Sequence, residues 1–151
     1  MQIKTILVPC DFSEYAERAY VWAIALAEKW GAKIILLHAA QLFTSLGYPE
    51  SVYLLDLKKM EEEILADAEK RLGEFAAKKG SSSVVVETRA VTGDPFWEIC
   101  RTAEQEHADL IVMGSHGRTG LAHVLLGSVA ERVVRHAVCP VLVARVPKAA
   151  R

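Results

Sequence analysis

The 151-residue chain is 52% hydrophobic, a length and composition that suit one compact domain with a sizeable core. Eighteen basic residues against nineteen acidic ones leave a net charge of −1, which excludes a global field favouring nucleic acid or anionic lipid. No apolar run approaches the ~18 residues of a membrane span, and MQIKTILVPCDF lacks the apolar core of a signal peptide. Three widely spaced cysteines, Cys10, Cys100 and Cys139, argue for a reducing compartment without a disulfide framework, so a cytoplasmic protein with neither a nucleic-acid nor a membrane partner is expected.

In chain order, Thr5 to Val8 reads as a buried strand ended by Pro9. Ser13 is an N-cap for a helix with Ala16, Ala19, Tyr20, Ala23, Ala27 and Trp30 on one face, stopped by Gly31. Lys33 to Ala40 is a second strand. After a polar and aromatic loop over Gln41 to Asp56, the apolar positions Leu57, Met60, Ile64, Ala68, Leu72 and Phe75 mark a long amphipathic helix ending near Gly80. Its matched Glu and Lys residues read as a solvated face. Phe43, Tyr48 and Tyr53 of the preceding loop form either a lid, an interface or a locally packed irregular loop.

Val84 to Val91 is a third strand, and Asp94-Pro95 supplies an N-cap and a first helical position for the next helix. Leu110 to Met113 is the fourth strand, Gly127-Ser128 opens a helix through about His136, and Pro140 to Ala144 is the fifth strand. Strands separated by helix-length crossovers predict right-handed βαβ units, an α/β fold and a Rossmann-like open five-stranded parallel sheet with helices on both faces.

Such sheets bind ligands beyond the carboxyl ends of their strands, where strand order reverses. The first strand exits through Pro9-Cys10-Asp11 and the fourth through Met113-Gly114-Ser115-His116-Gly117, so an acid and a glycine loop would face one crevice. The stretch from Gly114 to Ser128 is neither a Walker A loop nor the dinucleotide GxGxxG. Gly114 and Gly117 can take positive φ and let backbone N–H groups approach an anion, while Gly127-Ser128 offers a helix N-terminus and a hydroxyl. The plainer alternative is a tight turn with close helix packing. From Gly114 onward six basic residues stand against one acid, Glu131, which suits a small anion.

ILVPCDFS at the first strand, ADLIVMGSHGRTGL at the fourth and CPVLVAR at the end occur in the order of the universal stress protein family, which the whole chain resembles. The spacing Gly114-x2-Gly117-x9-Gly127-Ser128 is similar to the glycine signature of the family's ATP-binding branch. The resemblance implies the strand order 3-2-1-4-5. It implies that Asp11 binds the ribose or adenine side of ATP, that the backbone around Ala39 and Ala40 lines the adenine pocket and that Pro9 shapes its wall. It also implies Met113 and Gly114 near the ribose and α-phosphate, and Gly117, Gly127, Ser128 and Val129 on the phosphates. Mg²⁺ or Mn²⁺ would be held mainly by phosphate oxygens and water, with no dedicated protein metal site. A homodimer paired through the C-terminal strand, Val138 to Val146, is the implied assembly.

Among neighbouring residues, Arg118 reaches a terminal phosphate or is a surface charge, and His116 touches a phosphate or fills an exposed loop. Cys10 is a redox-sensitive thiol or a packing residue, and His38 and His107 read as structural or solvent-facing. The pairs Cys100/His107 and His136/Cys139 match zinc spacing only loosely. With no complete phosphoryl-transfer set in sight, the expected function is an ATP-binding regulatory or stress-response protein with at most slow hydrolysis. A committed ATP-hydrolysing enzyme and an interaction subunit that binds no nucleotide are the alternatives, and the complete glycine signature argues against the second.

Overall fold

The computed structural model describes residues 2–42, 50–118 and 126–146. Along them run β1 (Thr5–Pro9), α1 (Glu14–Trp30), β2 (Lys33–Ala40), α2 (Glu50–Lys79), β3 (Val86–Thr92), α3 (Pro95–Gln105), β4 (Leu110–Gly114), α4 (Ser128–His136) and β5 (Val141–Ala144). All strand pairs are parallel and the sheet order is β3-β2-β1-β4-β5, as expected. None of the described helices is long and apolar enough to cross a membrane.

Side chains alternate across the sheet, and each face has its own helix layer. Ile6, Val8, Ile34, Leu36, Leu110 and Val112 pack against α1 and α2, which contribute Ala19, Tyr20, Ala23, Leu72 and Phe75. Leu7, Ile35, Leu37, Ile111 and Met113 point the other way, onto Phe96, Ile99 and Ala103 of α3 and Ala130 and Val133 of α4. Both faces are covered, which is why the central strands are continuous apolar runs. Each fully buried Leu, Ile or Val contributes about 1.5–3 kcal/mol of burial free energy.

The capping signals act where the residue types require. Ser13 Oγ accepts the Ala16 N–H at 3.2 Å to start α1, and Gly31 ends it with φ 66° in the left-handed region. Asp94 caps α3 through the Trp97 N–H, with Pro95 in the first turn. Trp30 departs from expectation: it lies about 60° around the helix from Ala27 and remains 39% exposed at the rim. The third strand starts at Val86, later than expected, because the Val84 N–H closes a turn on the Ser81 carbonyl. The helix α2 begins at Glu50, so Tyr53 belongs to it rather than to an irregular loop, while Phe43 and Tyr48 lie outside the described residues.

The acids on α2 do more than solvate a surface. Glu69 accepts the Ala90 N–H at 2.6 Å and the Thr88 hydroxyl at 3.0 Å, and Glu61 accepts the Thr92 hydroxyl, so carboxylates seal the outer edge of β3.

At the base of the sheet, Asp109 Oδ2 accepts the N–H groups of Lys4 (2.8 Å) and Thr5 (3.0 Å) and ties β1 to β4. These backbone donors hold its carboxyl below the usual carboxylate range. A carboxyl whose pKa is lowered on folding stabilises fully above its unfolded range, and the contribution is lost as pH falls through the folded value. Asp109→Asn should therefore cost about 1–2 kcal/mol at neutral pH. In urea titrations across pH, the gap from wild type should close on acidification.

Candidate functional site

The chain leaves β1 toward β2 and leaves β4 toward β5, so the carboxyl ends of β1 and β4 flank the switch point of the sheet. A cavity of about 350 Å³ opens there. Pro9 and Asp11 line it from β1, Ala39 from β2, and Met113, Gly114, Gly117 and Arg118 from β4 and its exit. Gly127, Ser128 and Val129 line it from the start of α4. Ala40 alone of the expected residues is not in its wall. Strand alternation turns it to the other face, where it lines a smaller cavity against Met60, Ile64 and Ala68 of α2, and its carbonyl takes the Gly93 N–H at 2.9 Å.

Positive φ is not what the loop glycines supply, and the close packing named as the plainer alternative is present. Among the described glycines only Gly31 and Gly93 have positive φ; Gly114 and Gly117 do not. A Cβ on Gly114 would lie 2.7 Å from Tyr15 Cβ and 2.8 Å from the Tyr15 carbonyl carbon, so the backbone of α1 occupies the place of a side chain. One on Gly117 would meet Asp11 Oδ2 at 3.0 Å, and one on Gly127 would meet His116 Cα at 3.3 Å. The loop is bare because three segments approach one another closely.

Close approach also brings a helix start onto the cavity. The Gly127 N–H donates to the Ser115 carbonyl at 2.7 Å, which docks the start of α4 on the β4 exit. As N-cap, Gly127 has no side chain to take the first-turn N–H groups. Those of Ser128, Val129 and Ala130 have no intrahelical acceptor, and all three residues line the cavity. The helix dipole adds partial positive charge at that point, and Arg118 adds a full one at the wall.

The opposite wall is rigidly made. Asp11 Oδ1 accepts the Ser13 N–H at 3.1 Å and the Ser13 hydroxyl at 2.5 Å. The Cys10 N–H donates to the Leu37 carbonyl at 2.7 Å, and the Cys10 carbonyl accepts from His38 Nδ1, also at 2.7 Å. A carbonyl only accepts, so that nitrogen carries the proton. Cys10 itself is 4% exposed, and burial pushes its thiol up to about 12, which makes it a packing residue and not a reactive thiolate.

Several wall residues escaped the sequence reading. His38 lines both this cavity and the smaller one behind it. Pro95 and Ile99 of α3 form an apolar side with Leu37, and the Asp94-Pro95 helix start was the available signal, since a right-handed crossover carries α3 over this end of the sheet. His116 is placed, not loose: its Nδ1 is 3.0 Å from the buried Ser115 Oγ and its ring lies 5.3 Å from that of Tyr15. Among the described residues no three His, Cys, Asp or Glu side chains converge to hold a metal ion. The result is a slot with apolar walls at one end and converging N–H donors at the other, within the ~300–1,000 Å³ of small-molecule sites.

A model of the universal stress protein family matches residues 2–145. The universal stress protein MJ0531 of Methanocaldococcus jannaschii is 37% identical over 145 residues, covering 96% of this chain and 84% of that one. Universal stress protein YxiE of Bacillus subtilis is 31% identical over 144 residues, covering 93% and 97%. Among solved structures, MJ0577 superimposes with a TM-score of 0.77 at 29% identity, covering 99% and 100%. A universal stress protein in complex with cAMP superimposes with a TM-score of 0.64 at 26% identity, covering 96% and 98%.

The contact at Gly114 is directly testable. Gly114→Ala forces α1 away from the sheet and should destabilise the protein by about 1–3 kcal/mol in denaturant titration.

Proposed function

The chain belongs to the universal stress protein family, and from that premise we propose that it binds an adenine nucleotide, ATP foremost, in the switch-point crevice as a regulatory module with at most slow hydrolysis. One observation carries the reading: an uncapped helix N-terminus, Arg118 and a closely packed glycine loop share one cavity with an apolar slot walled by Asp11. A protein of the same fold in complex with cAMP supports the ligand class.

In this reading the phosphates lie against Gly114 and Gly117 and the first turn of α4, where the N–H groups of Ser128 and Val129, the Ser128 hydroxyl and Arg118 offset their charge. Adenine takes the apolar end beside Pro9 and the Ala39 backbone, and Met113 borders the ribose. Asp11, with Oδ1 committed to Ser13, offers its second oxygen to the nucleoside. A divalent cation, Mg²⁺ or Mn²⁺, would ride on phosphate oxygens and water. Asp11 is the one acid among the described lining residues, so binding is favoured over catalysis: phosphoryl transfer calls for protein metal ligands and a group orienting the nucleophile.

The same proposal includes a homodimer. Among the described residues β5 pairs only with β4, its outer edge carries no sealing carboxylates like those on β3, and the adjoining Val138 is 65% exposed. A second copy pairing symmetrically along Val138 to Val146 would cover that edge. Cytoplasmic location goes with the free thiols of Cys10, Cys100 and Cys139.

Calorimetric titration with ATP and adenosine tests the site. Asp11→Ala should weaken both ligands by about 1–3 kcal/mol, and Ser128→Ala should cost ATP about 0.5–1.5 kcal/mol. Gly127→Val, which drives a branched side chain against His116, should damage ATP binding far more than adenosine binding. Equal losses for the two ligands in a folded Gly127→Val protein would return the loop to a packing role. For the assembly, light scattering should give twice the chain mass, and a monomer at working concentration would remove the dimer.

A further inference from the structure

Two described non-glycine residues have positive φ, Phe12 at 65° and His107 at 48°. His107 immediately follows the C-cap of α3, where left-handed backbone is ordinary. Phe12 stands between Asp11 of the candidate site and Ser13, the N-cap of α1, and a bulky aromatic residue there is strained. Strain of this kind persists only where surrounding contacts over-determine it.

Two of those contacts come from α2, outside the nucleotide crevice, and one from His38 in its wall. The Arg71 guanidinium sits 4.0 Å above the Phe12 ring, and Phe75, one turn further along α2, meets it edge-on at 6.1 Å. His38 of β2 packs at 4.6 Å from the third side, with its Nδ1 bonded to the carbonyl of Cys10. The reversal at Phe12 folds Ser13 back so that its N–H and hydroxyl both reach Asp11 Oδ1. The other carboxylate oxygen is left toward Gly117 and the cavity.

We propose that Phe12, clamped by Arg71 and His38, is a positioning device for Asp11: it sets which carboxylate oxygen faces the ligand and thereby the affinity for the nucleoside moiety. The inference rests on the reading of Asp11 as a nucleoside-side anchor. It assigns α2 a part in ligand affinity although none of its described side chains lines the nucleotide cavity. Arg71 is the accessible member, half-exposed and bordering the smaller cavity, so its replacement spares the core.

Adenosine titration in a double-mutant cycle separates positioning from general structure. Arg71→Ala removes the cation from the ring. Phe12→Gly accepts the same φ without strain and cannot be clamped, and circular dichroism checks that it remains folded. Each should weaken adenosine at least fivefold, and neither should weaken it further, beyond twofold, when Asp11 is already Ala. Adenosine is uncharged, so loss of the Arg71 cation removes no direct charge–charge attraction to the ligand. If Asp11→Ala weakens adenosine while Arg71→Ala and Phe12→Gly do not, the clamp is overturned and the nucleotide reading stands. If their losses persist undiminished in the Asp11→Ala background, they reflect general structure and the clamp is likewise overturned. Absence of adenosine binding to the wild type, or affinity unchanged by Asp11→Ala, removes both the reading and the inference.

Discussion

The backbone of α1 rests directly on Gly114, with Tyr15 where a side chain would otherwise be. This contact joins the first turn after β1 to the last residue of β4, the two places where the chain turns in opposite directions from the middle of the sheet. Both places border the crevice. Gly117 then approaches Asp11, Ser115 receives the Gly127 N–H, and the start of α4 is brought onto the same opening. A larger residue at Gly114 would therefore disturb packing and site geometry together, since both use one approach of backbone to backbone.

The electrostatics of the opening follow from what surrounds it rather than from the protein as a whole, whose net charge is −1. Positive character comes from N–H groups left over at a helix start and from Arg118. Asp11, the single acid among the described lining residues, already has one oxygen bonded twice by Ser13, which limits the directions in which it can meet a ligand. Fixed donors of this kind need little reorganisation when an anion arrives.

Most of the fold was legible because its signals are local. Ser13, Gly31, Asp94 and Pro95 act at the positions their residue types suggest, and the alternation of Ile6, Leu7 and Val8 between two cores follows from strand geometry. Ten of the eleven anticipated site residues meet at one cavity, and Ala40 is lost to the same alternation that places Ala39. What was not legible depends on contacts distant in sequence. That Gly114 faces Tyr15 instead of taking positive φ, that Glu69 reaches the Ala90 N–H, and that Arg71 lies over Phe12 each require helix positions relative to the sheet. The left-handed backbone fell on a phenylalanine, where residue preference gives no warning.

The two edges of the sheet are finished differently. Along β3, carboxylates from α2 occupy an outward N–H and two hydroxyls, whereas β5 has no such cover among the described residues. In terms of strand addition, the described residues give the sheet a valence of one. An added strand can dock on a single side, and a second copy docking there presents its own sealed side outward. With a copy docked there, edge-to-edge growth would terminate at that step, and the carboxylates of α2 would act as a chain stop against the open-ended stacking to which a sheet with two bare edges is prone.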